Sequence, residues 1–356
     1  MSYTRQGAVE ALCRALGWLP PQVCRTAPQA TPETLRRLHA APYVGALKAA
    51  SERGSVTRHE RETYRFGTME NPIFAGLFER AASTVGGSML AAQLALEGKV
   101  AFHPAGGTHH GRPDRASGFC YFNDPAFAIL AFLDAGLERV LYVDVDAHHG
   151  DGVFDAFVGD ARVACVSIHE EDRWPNTGTL GEQGERALNV PVPERVTDSE
   201  YAAAMRQLVM PFAERFDPKA IVITCGADAL HGDPLSHMEL SNRALWSAVL
   251  DLCALDLPTV VLGGGGYNPW TTVRCWAGLW GVLSGREFPE TLPDEALTLL
   301  AGFESDLVDE DELEPYWLDR LADPPHVSSV RPEVAERLAA LASVHFAVED
   351  AAGPIH

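Results

Sequence analysis

The chain has 356 residues, of which 46% are hydrophobic, and a formal net charge of −21 at pH 7. So negative a surface repels phosphate backbones and excludes most direct nucleic-acid binders, and no apolar run reaches the roughly 18 residues that cross a bilayer. The N-terminus lacks the apolar segment of a secretory signal and the seven cysteines form no CxxC pair, so we expect a cytoplasmic protein with reduced thiols and no membrane contact.

Helical patterns dominate the N-terminal part of the chain. Apolar spacing predicts a helix from Gln6 to Trp18, Thr31 provides the N-cap of a second helix, and a third follows Pro42. Residues 51–65 are polar and charged, which favours an exposed connection. Residues 74–96, rich in Ala, Leu and Gly, are predicted to form a largely buried helix.

Short apolar strands then alternate with helical patterns. This alternation is typical of an α/β fold, in which a mostly parallel sheet is covered by helices on both faces. The predicted strands cover residues 100–102, 140–145, 163–168, 220–224 and 259–262, and the predicted helices cover residues 125–135, 198–216 and 242–255.

The composition changes near the C-terminus. Residues 289–323 are acidic and rich in proline, and a last helix is predicted over residues 332–341. The sequence contains no repeats, so we expect a single domain over residues 1–356, with residues 286–356 as a C-terminal extension packed on it.

Polar clusters follow four of the predicted strands. They are Gly-Gly-Thr-His-His (106–110), the acidic and histidine-rich turn at 144–151, Gly-Ala-Asp (226–228) and Gly-Gly-Gly-Gly-Tyr (263–267). Ligands of open α/β sheets bind beyond the carboxyl ends of the strands. These loops are therefore predicted to converge on one site.

The turn after the second predicted strand has the features of a metal site. Side chains alternate along a strand, so Asp144, Asp146 and His148 can project to one side. Two buried carboxylates need a cation or a proton donor. Asp146 and His148, with Asp228 as a third ligand, would leave one open position, as in catalytic zinc sites. The same donors also suit Fe(II) or Mn(II).

The other polar residues of these loops suit acid–base chemistry. The tandem His109-His110 could supply a general base, and Asp144 and Asp151 could each orient one imidazole. Tyr267, after the glycine run, could donate to a developing oxyanion. Purely structural roles are disfavoured because each of these buried groups would need a partner. Nucleotide binding is disfavoured because no lysine and no GxGxxG pattern accompany the glycines.

Five motifs occur in order along the chain: GGTHH (106–110), SGFCYFND (117–124), VDVDAHHGDG (143–152), GADALHGDPL (226–235) and GGGGYN (263–268). Together they resemble the histone deacetylase superfamily, which includes bacterial acetoin-utilisation-type deacetylases and acetylpolyamine amidohydrolases. The resemblance extends from about Arg5 to Leu283. It implies an arginase/deacetylase-like three-layer fold and hydrolysis of an acylated amine through a zinc-bound water.

The resemblance also implies individual roles. The implied metal ligands are Asp146, His148 and Asp228. The implied general base and acid is His110, paired with Asp151, and the implied charge-stabilising residue is His109, paired with Asp144. Tyr267 is implied to polarise the scissile carbonyl. The implied substrate channel contains Glu70, Gly118, Phe119, Trp174 and Leu235. Two structural sites for K⁺ or Na⁺ are also implied, with ligands that are largely backbone carbonyls. The first comprises Asp144, Asp146, His148, Ser167 and Ile168. The second comprises Phe157, Asp160 and Val163.

Three departures from the family pattern alter these expectations. The family's opening strand has no counterpart before Arg5, so we expect a sheet that lacks an edge strand or a sequence that begins late. Arg5 itself matches the arginine near the product-exit channel. Glu70 stands where many relatives carry Asp at the channel rim, and Trp174 is larger than the usual Phe, so it narrows the channel.

The leading functional hypothesis is a zinc-dependent deacylase of acetyl-lysine or a similar acylated amine. An acetylpolyamine or other small amide is the second candidate substrate, although the apolar Leu235 offers no attraction to a second ammonium group. A non-catalytic metal-binding protein of the same fold is a third hypothesis. Hydrolysis of guanidines would need ligands for a second metal, which the sequence does not indicate.

Overall fold

A single parallel sheet forms the centre of the computed structural model, which describes residues 4–98 and 100–346. Its strands are β1 (Val100–His103), β2 (Val140–Asp144), β3 (Val163–Glu170), β4 (Ala187–Val192), β5 (Ala220–Thr224) and β6 (Thr259–Leu262). They are arranged in the order β1-β6-β5-β2-β3-β4, and every neighbouring pair is parallel. In the described part of the chain, β1 and β4 are therefore the edges.

Helices surround this sheet. They are α1 (Arg5–Ala15), α2 (Pro32–Leu35), α3 (Ala41–Arg53), α4 (Arg58–Tyr64), α5 (Leu77–Leu96), α6 (Asp124–Asp134), α7 (Asp151–Phe157), α8 (Asp198–Ala204), α9 (Met210–Phe216), α10 (Asn242–Cys253), α11 (Pro269–Leu283), α12 (Asp294–Ala301), α13 (Tyr316–Asp319) and α14 (Pro332–Phe346). No helix among the described residues is long and apolar enough to cross a membrane.

The side chains of β2 alternate between two hydrophobic cores. Leu141 and Val143 pack into one core with residues of α8, α10 and α11, whereas Val140 and Tyr142 pack into the other with α5 and α6. Every residue of β2 is buried. A strand buried on both faces is typical of a parallel sheet between two helical layers. The predicted three-layer α/β architecture is confirmed.

The segment at residues 51–65 is largely exposed, as expected, but it is mostly helical rather than an irregular connection. Helix α3 continues to Arg53, and α4 occupies most of the remainder. Thr57 and Glu60 form a capping box, in which the Thr57 hydroxyl accepts from the Glu60 backbone N–H and the Glu60 carboxylate accepts from the Thr57 backbone N–H. This S/T-x-x-E signal was present in the sequence and indicates a helix start.

Strand β4 was absent from the prediction. It contains Asn189 and Pro191, and both residue types are depleted in strands. Proline cannot donate a ladder hydrogen bond, so it is confined to edge strands, where β4 lies. The predicted helix over residues 198–216 is also interrupted, by a π-helical turn at Met205–Val209. Pro211, at the start of α9, lacks the N–H that a continuous α-helix would require.

The C-terminal segment lies against the sheet edge. Leu338 and Leu341 of α14 belong to the main hydrophobic core, and α14 contacts β4 and the neighbouring π-helical turn. Arg331, just before α14, forms an ion pair with Glu200 of α8. The single domain over residues 1–356 stays a prediction, and residues 1–3 and 347–356 lie outside the described residues.

Candidate active site

Loops at the carboxyl ends of the strands approach one another closely because they contain glycine. A Cβ on Gly226, after β5, would lie 1.9 Å from Oδ2 of Asp146, and a Cβ on Gly265, after β6, would lie 2.0 Å from Oδ2 of Asp228. Any other residue would displace these carboxylates. The two loops can therefore reach the turn that follows β2 only with glycine at these positions.

Asp146, His148 and Asp228 form a buried group that could bind a metal ion. One potential ligand atom from each lies within 4.8 Å of the others. Nδ1 of His148 is 2.9 Å from Oδ2 of Asp228 and 3.3 Å from Oδ1 of Asp146. In a tetrahedral site with bonds of roughly 2.1 Å, ligand atoms are separated by about 3.4 Å. The spacing of this group therefore fits a metal ion such as zinc.

Backbone groups orient the two carboxylates. The N–H of Gly265 donates to Oδ2 of Asp146 at 2.7 Å, and the N–H of Ala147 donates to Oδ1 of Asp228 at 3.0 Å. The other oxygen of each carboxylate faces His148. Although burial favours the neutral imidazole, Asp146 and Asp228 raise the pKa of His148 well above its usual value. The site therefore favours a positive charge between the carboxylates, which a bound cation would also supply.

His109 and His110 each contact a different carboxylate. Nδ1 of His109 is 2.7 Å from Oδ2 of Asp144, and Nδ1 of His110 is 2.7 Å from Oδ1 of Asp151. The two rings lie against each other with their centroids 3.9 Å apart. Because each Nδ1 has an acidic partner, Nε2 is left as the nitrogen available for chemistry.

The two histidines differ in their affinity for a proton. Burial disfavours the charged form of His109, but Asp144 and Asp146 raise its pKa to about 9. Burial and the adjacent His109 lower the pKa of His110 to about 3. At neutral pH, His110 is therefore the neutral member of the pair, with one ring nitrogen unprotonated.

A cavity of about 820 Å³ connects these groups. It is lined by His109, His110, Asp146, His148, Asp228 and Tyr267, and by Gly118 and Phe119 of the implied channel. Burial and the nearby Asp228 raise the pKa of Tyr267 well above its usual value. The phenol therefore keeps its proton at neutral pH and can donate a hydrogen bond into the cavity.

Aromatic side chains stand near the mouth of the cavity. Phe119 is 47% exposed, and its ring centroid lies 6.0 Å from that of Tyr267. Trp174 is 40% exposed, and its ring centroid lies 4.5 Å from that of His110. Both aromatic residues are thus next to candidate catalytic side chains. Trp174 itself is not among the residues that line the cavity.

Glu70 and Leu235, two residues of the implied substrate channel, form hydrogen bonds within the protein. The Glu70 carboxylate accepts a hydrogen bond from the backbone N–H of Gly118. Leu235 is half-buried, and its backbone N–H donates to Asp233 at 2.9 Å. Neither Glu70 nor Leu235 lines the cavity. Their assignment to the substrate channel stays a prediction.

The positions implied for monovalent cations are neighbours in the fold. Asp144 of β2 is in register with Ser167 of β3, which Ile168 follows. In the second group, the Phe157 carbonyl accepts from the Asp160 N–H at 2.9 Å, and the Asp160 carbonyl accepts from the Val163 N–H at 3.1 Å. The cation-binding roles of both groups stay predictions.

Sequence reasoning missed two residues that support the histidine pairs. The Arg112 guanidinium forms an ion pair with Asp151, the partner of His110. The Tyr142 hydroxyl donates to Oδ2 of Asp144 at 2.6 Å. The position of Arg112, two residues after His110, was a usable signal, whereas Tyr142 looks like an ordinary core residue of β2.

Comparisons with known proteins agree with this geometry. The family description "Histone deacetylase domain" matches residues 1–283. Histone deacetylase 8 of Xenopus tropicalis is 34% identical over 299 residues, which cover 82% of this chain and 80% of that protein. Acetoin utilization protein AcuC of Bacillus subtilis is 37% identical over 282 residues, which cover 73% of this chain and 72% of that protein.

A solved structure gives the same result for the fold. The crystal structure of an HDAC homologue from Aquifex aeolicus matches with a TM-score of 0.90 and 34% sequence identity, covering 94% of this chain and 92% of that chain. The arginase/deacetylase-like fold implied by the sequence resemblance is therefore confirmed. The matches in domain, sequence and structure lead to one conclusion: the chain belongs to the histone deacetylase family.

Proposed function

We propose that this protein is a zinc-dependent deacylase that hydrolyses acetyl-lysine or a similar acylated amine. The observation that carries the proposal is the convergence of three potential metal ligands within 4.8 Å in a cavity that also contains two histidines, each paired with an aspartate. Membership of a metal-dependent hydrolase family agrees with it.

The cation would be held by Asp146, His148 and Asp228. When bound, the cation would act as a Lewis acid that activates water near neutral pH. His110 accepts a proton from the attacking water at Nε2 and donates it to the leaving amine. Asp151 keeps its imidazole oriented. His109, which is hydrogen-bonded to Asp144, would help stabilise charge beside the reacting carbonyl.

Tyr267 completes the proposed machinery. Its phenol stays protonated because burial raises its pKa, so its O–H donates to the carbonyl oxygen as negative charge develops there. Phe119 and Trp174 would flank the methylene stem of an acylated lysine, since flat aromatic surfaces suit long aliphatic chains.

An acetylated polyamine is the second candidate substrate. The net charge of −21 favours approach of a polycation. At the channel position that the family resemblance implies for it, Leu235 would offer no partner for a second ammonium group, which favours acetyl-lysine. An HDAC homologue with 34% identity and a TM-score of 0.89 was solved in complex with SAHA, and we propose that SAHA also occupies the 820 Å³ cavity of this protein.

The remaining parts of the proposal concern ions and location. Zinc is the proposed metal and Fe(II) the alternative, because both accept carboxylate and imidazole ligands. K⁺ or Na⁺ would occupy the two backbone sites.

A cytoplasmic location is proposed because all seven cysteines are free thiols.

One experiment separates the candidate functions. The purified chain is analysed for bound metals and, on the same sample, assayed with an acetyl-lysine peptide, acetylspermidine and arginine. We expect acetate release from the peptide with the higher kcat/KM, loss of activity on chelation, recovery with zinc, and inhibition by SAHA. Stoichiometric metal without hydrolysis of any amide would favour a non-catalytic protein, and release of urea from arginine would contradict the deacylase proposal.

A further inference from the structure

Asp233 joins two loops of the candidate site through backbone hydrogen bonds. It is 5% exposed, and Oδ1 accepts from the N–H of Leu235 at 2.9 Å. Oδ2 accepts from the N–H of Tyr267 at 2.7 Å and from the N–H of Asn268 at 3.4 Å. The first bond lies within the loop after β5, whereas the other two reach the loop after β6. None of the ion pairs among the described residues involves Asp233.

The peptide unit before Tyr267 needs such an anchor. This peptide unit joins Gly266, the last of four consecutive glycines, to Tyr267. Glycine has the largest backbone freedom of any residue type. Gly266 has φ of +140°, a conformation that glycine adopts and other residues avoid. Its carbonyl accepts a hydrogen bond from Arg5 at 2.7 Å, while Asp233 accepts from the N–H at the other end of the same peptide unit. Two oppositely charged side chains thus hold this peptide.

We propose that Asp233 is a positioning residue, whose carboxylate fixes the backbone of Tyr267 so that the phenol meets the scissile carbonyl. The bond to Leu235 alone would be an ordinary turn contact. The bonds to Tyr267 and Asn268 have a different consequence, because they hold the backbone of a catalytic side chain at the end of the glycine run, beyond the last glycine that other backbone bonds fix. This inference rests on the proposed function of Tyr267.

The Asp233→Asn substitution tests the proposal with little change in volume. An amide has one acceptor oxygen, so one of the two oxygen positions becomes an NH₂ group that faces a backbone N–H. We expect kcat for an acetyl-lysine peptide to fall by about 10- to 100-fold, as is typical when a supporting group is removed. KM should change little, because Phe119 and Trp174 lie on other loops.

Asp198 provides a matched control. Its carboxylate also accepts backbone N–H groups from two distant segments, Ser241 at 2.8 Å and His326 at 3.0 Å, but it does not line the cavity. We expect Asp198→Asn to lower the thermal midpoint while kcat stays within about twofold of the wild type. An equal loss of kcat in both variants would mean that Asp233 is only structural.

A double-mutant cycle identifies the residue through which Asp233 acts. If its effect passes through the Tyr267 hydroxyl, Asp233→Asn should reduce kcat by less than about twofold in a Tyr267→Phe background. A full additional 10- to 100-fold loss there would overturn the proposal. So would a wild-type kcat in Asp233→Asn, or an effect on KM alone.

A measurement without turnover separates this inference from the proposed function. The protein is labelled with 3-fluorotyrosine, and the ¹⁹F resonance of Tyr267 is assigned by its absence in Tyr267→Phe. We expect Asp233→Asn to shift or broaden this resonance and Asp198→Asn to leave it unchanged. An unchanged Tyr267 resonance in Asp233→Asn refutes the positioning role, whereas absence of hydrolysis by the wild-type protein refutes the proposed function alone.

Discussion

Two adjacent histidines acquire different properties from their surroundings. His109 lies beside Asp144 and Asp146, which raise its pKa to about 9, whereas burial and the neighbouring His109 lower the pKa of His110 to about 3. One imidazole therefore favours the charged form and the other the neutral form. Two groups with opposite pKa shifts in one site are typical of acid–base catalysts.

Removal of one carboxylate tests the proposed metal centre at the residue scale. Asp228→Asn replaces a charged ligand by a neutral amide, so we expect zinc affinity to fall by about 10²-fold or more. The measurement is competition with a chromophoric chelator, together with metal content after dialysis. Asp251→Asn changes an exposed acid of α10 and should retain wild-type affinity. Equal zinc affinity in the Asp228 variant would contradict its role as a ligand.

At the scale of single elements, the loop at residues 117–120 shows how the cavity wall depends on contacts from elsewhere. Gly118 and Phe119 both have positive φ, at +53° and +63°. The Glu70 carboxylate accepts from the Gly118 N–H, and the Asn71 side-chain oxygen accepts from the Phe119 N–H at 3.2 Å. Such a conformation is costly for Phe119 and persists only when neighbouring groups hold it.

Gly118→Ala should therefore damage the site as well as the fold. A Cβ there would lie 2.4 Å from Trp174 and 2.7 Å from His110. We expect kcat/KM for an acetyl-lysine peptide to fall by up to about 10²-fold, because the displaced rings include the proposed base. Steady-state kinetics and urea unfolding measure the effects on activity and on stability.

The control for this substitution is Gly54→Ala. Gly54 also has positive φ, at +68°, but its Cβ would have no neighbour within 4 Å. Both variants should lose about 1–2 kcal/mol of stability from backbone strain, and only Gly118→Ala should lose activity. Equal activities in the two variants would show that contact with Trp174 and His110 has no catalytic consequence.

At the scale of the whole molecule, the C-terminal segment is joined to the rest of the chain by a bidentate ion pair. Nε of Arg331 is 2.7 Å from Oε1 of Glu200, and Nη2 is 3.0 Å from Oε2. Glu200 is buried, whereas the Arg331 side chain is about one-third exposed. Burial favours the neutral acid, but Arg331 lowers the pKa of Glu200 below its usual value.

Arg331→Met should leave the buried Glu200 carboxylate without its cationic partner. We expect the free energy of unfolding to fall by about 1–3 kcal/mol at pH 7. Because the folded-state pKa of Glu200 is lowered, the pair stabilises above the ordinary glutamate value of about 4.3, and its contribution is lost as the pH falls through the lower folded-state value. Urea unfolding across this pH range measures the difference.

Glu333→Gln removes an exposed partner of the same arginine, 3.4 Å away, and should change stability by less than about 0.5 kcal/mol. A constant difference between Arg331→Met and the wild type down to pH 3 would show that the stabilisation does not come from the charge of Glu200.

Much of this architecture was readable from local patterns. The strands are short apolar runs, and glycine-rich polar clusters follow four of them, so the parallel sheet and the convergence of Asp146, His148 and Asp228 could be predicted. Errors arose where a local pattern is weak or ambiguous. Pro191 concealed an edge strand, and charged residues concealed helix α4 although Thr57 and Glu60 marked its start.

The sequence by itself determined which chemical groups meet at the carboxyl edge of the sheet, because alternating side chains and parallel strands leave them few other places. Only the tertiary structure decided how those groups are held and charged. The opposite pKa shifts of His109 and His110 and the contact of Glu70 with Gly118 depend on burial and on distances of a few ångströms between segments that are far apart in sequence. Electrostatic energies and hydrogen bonds change steeply over such distances, and residue order alone does not specify them.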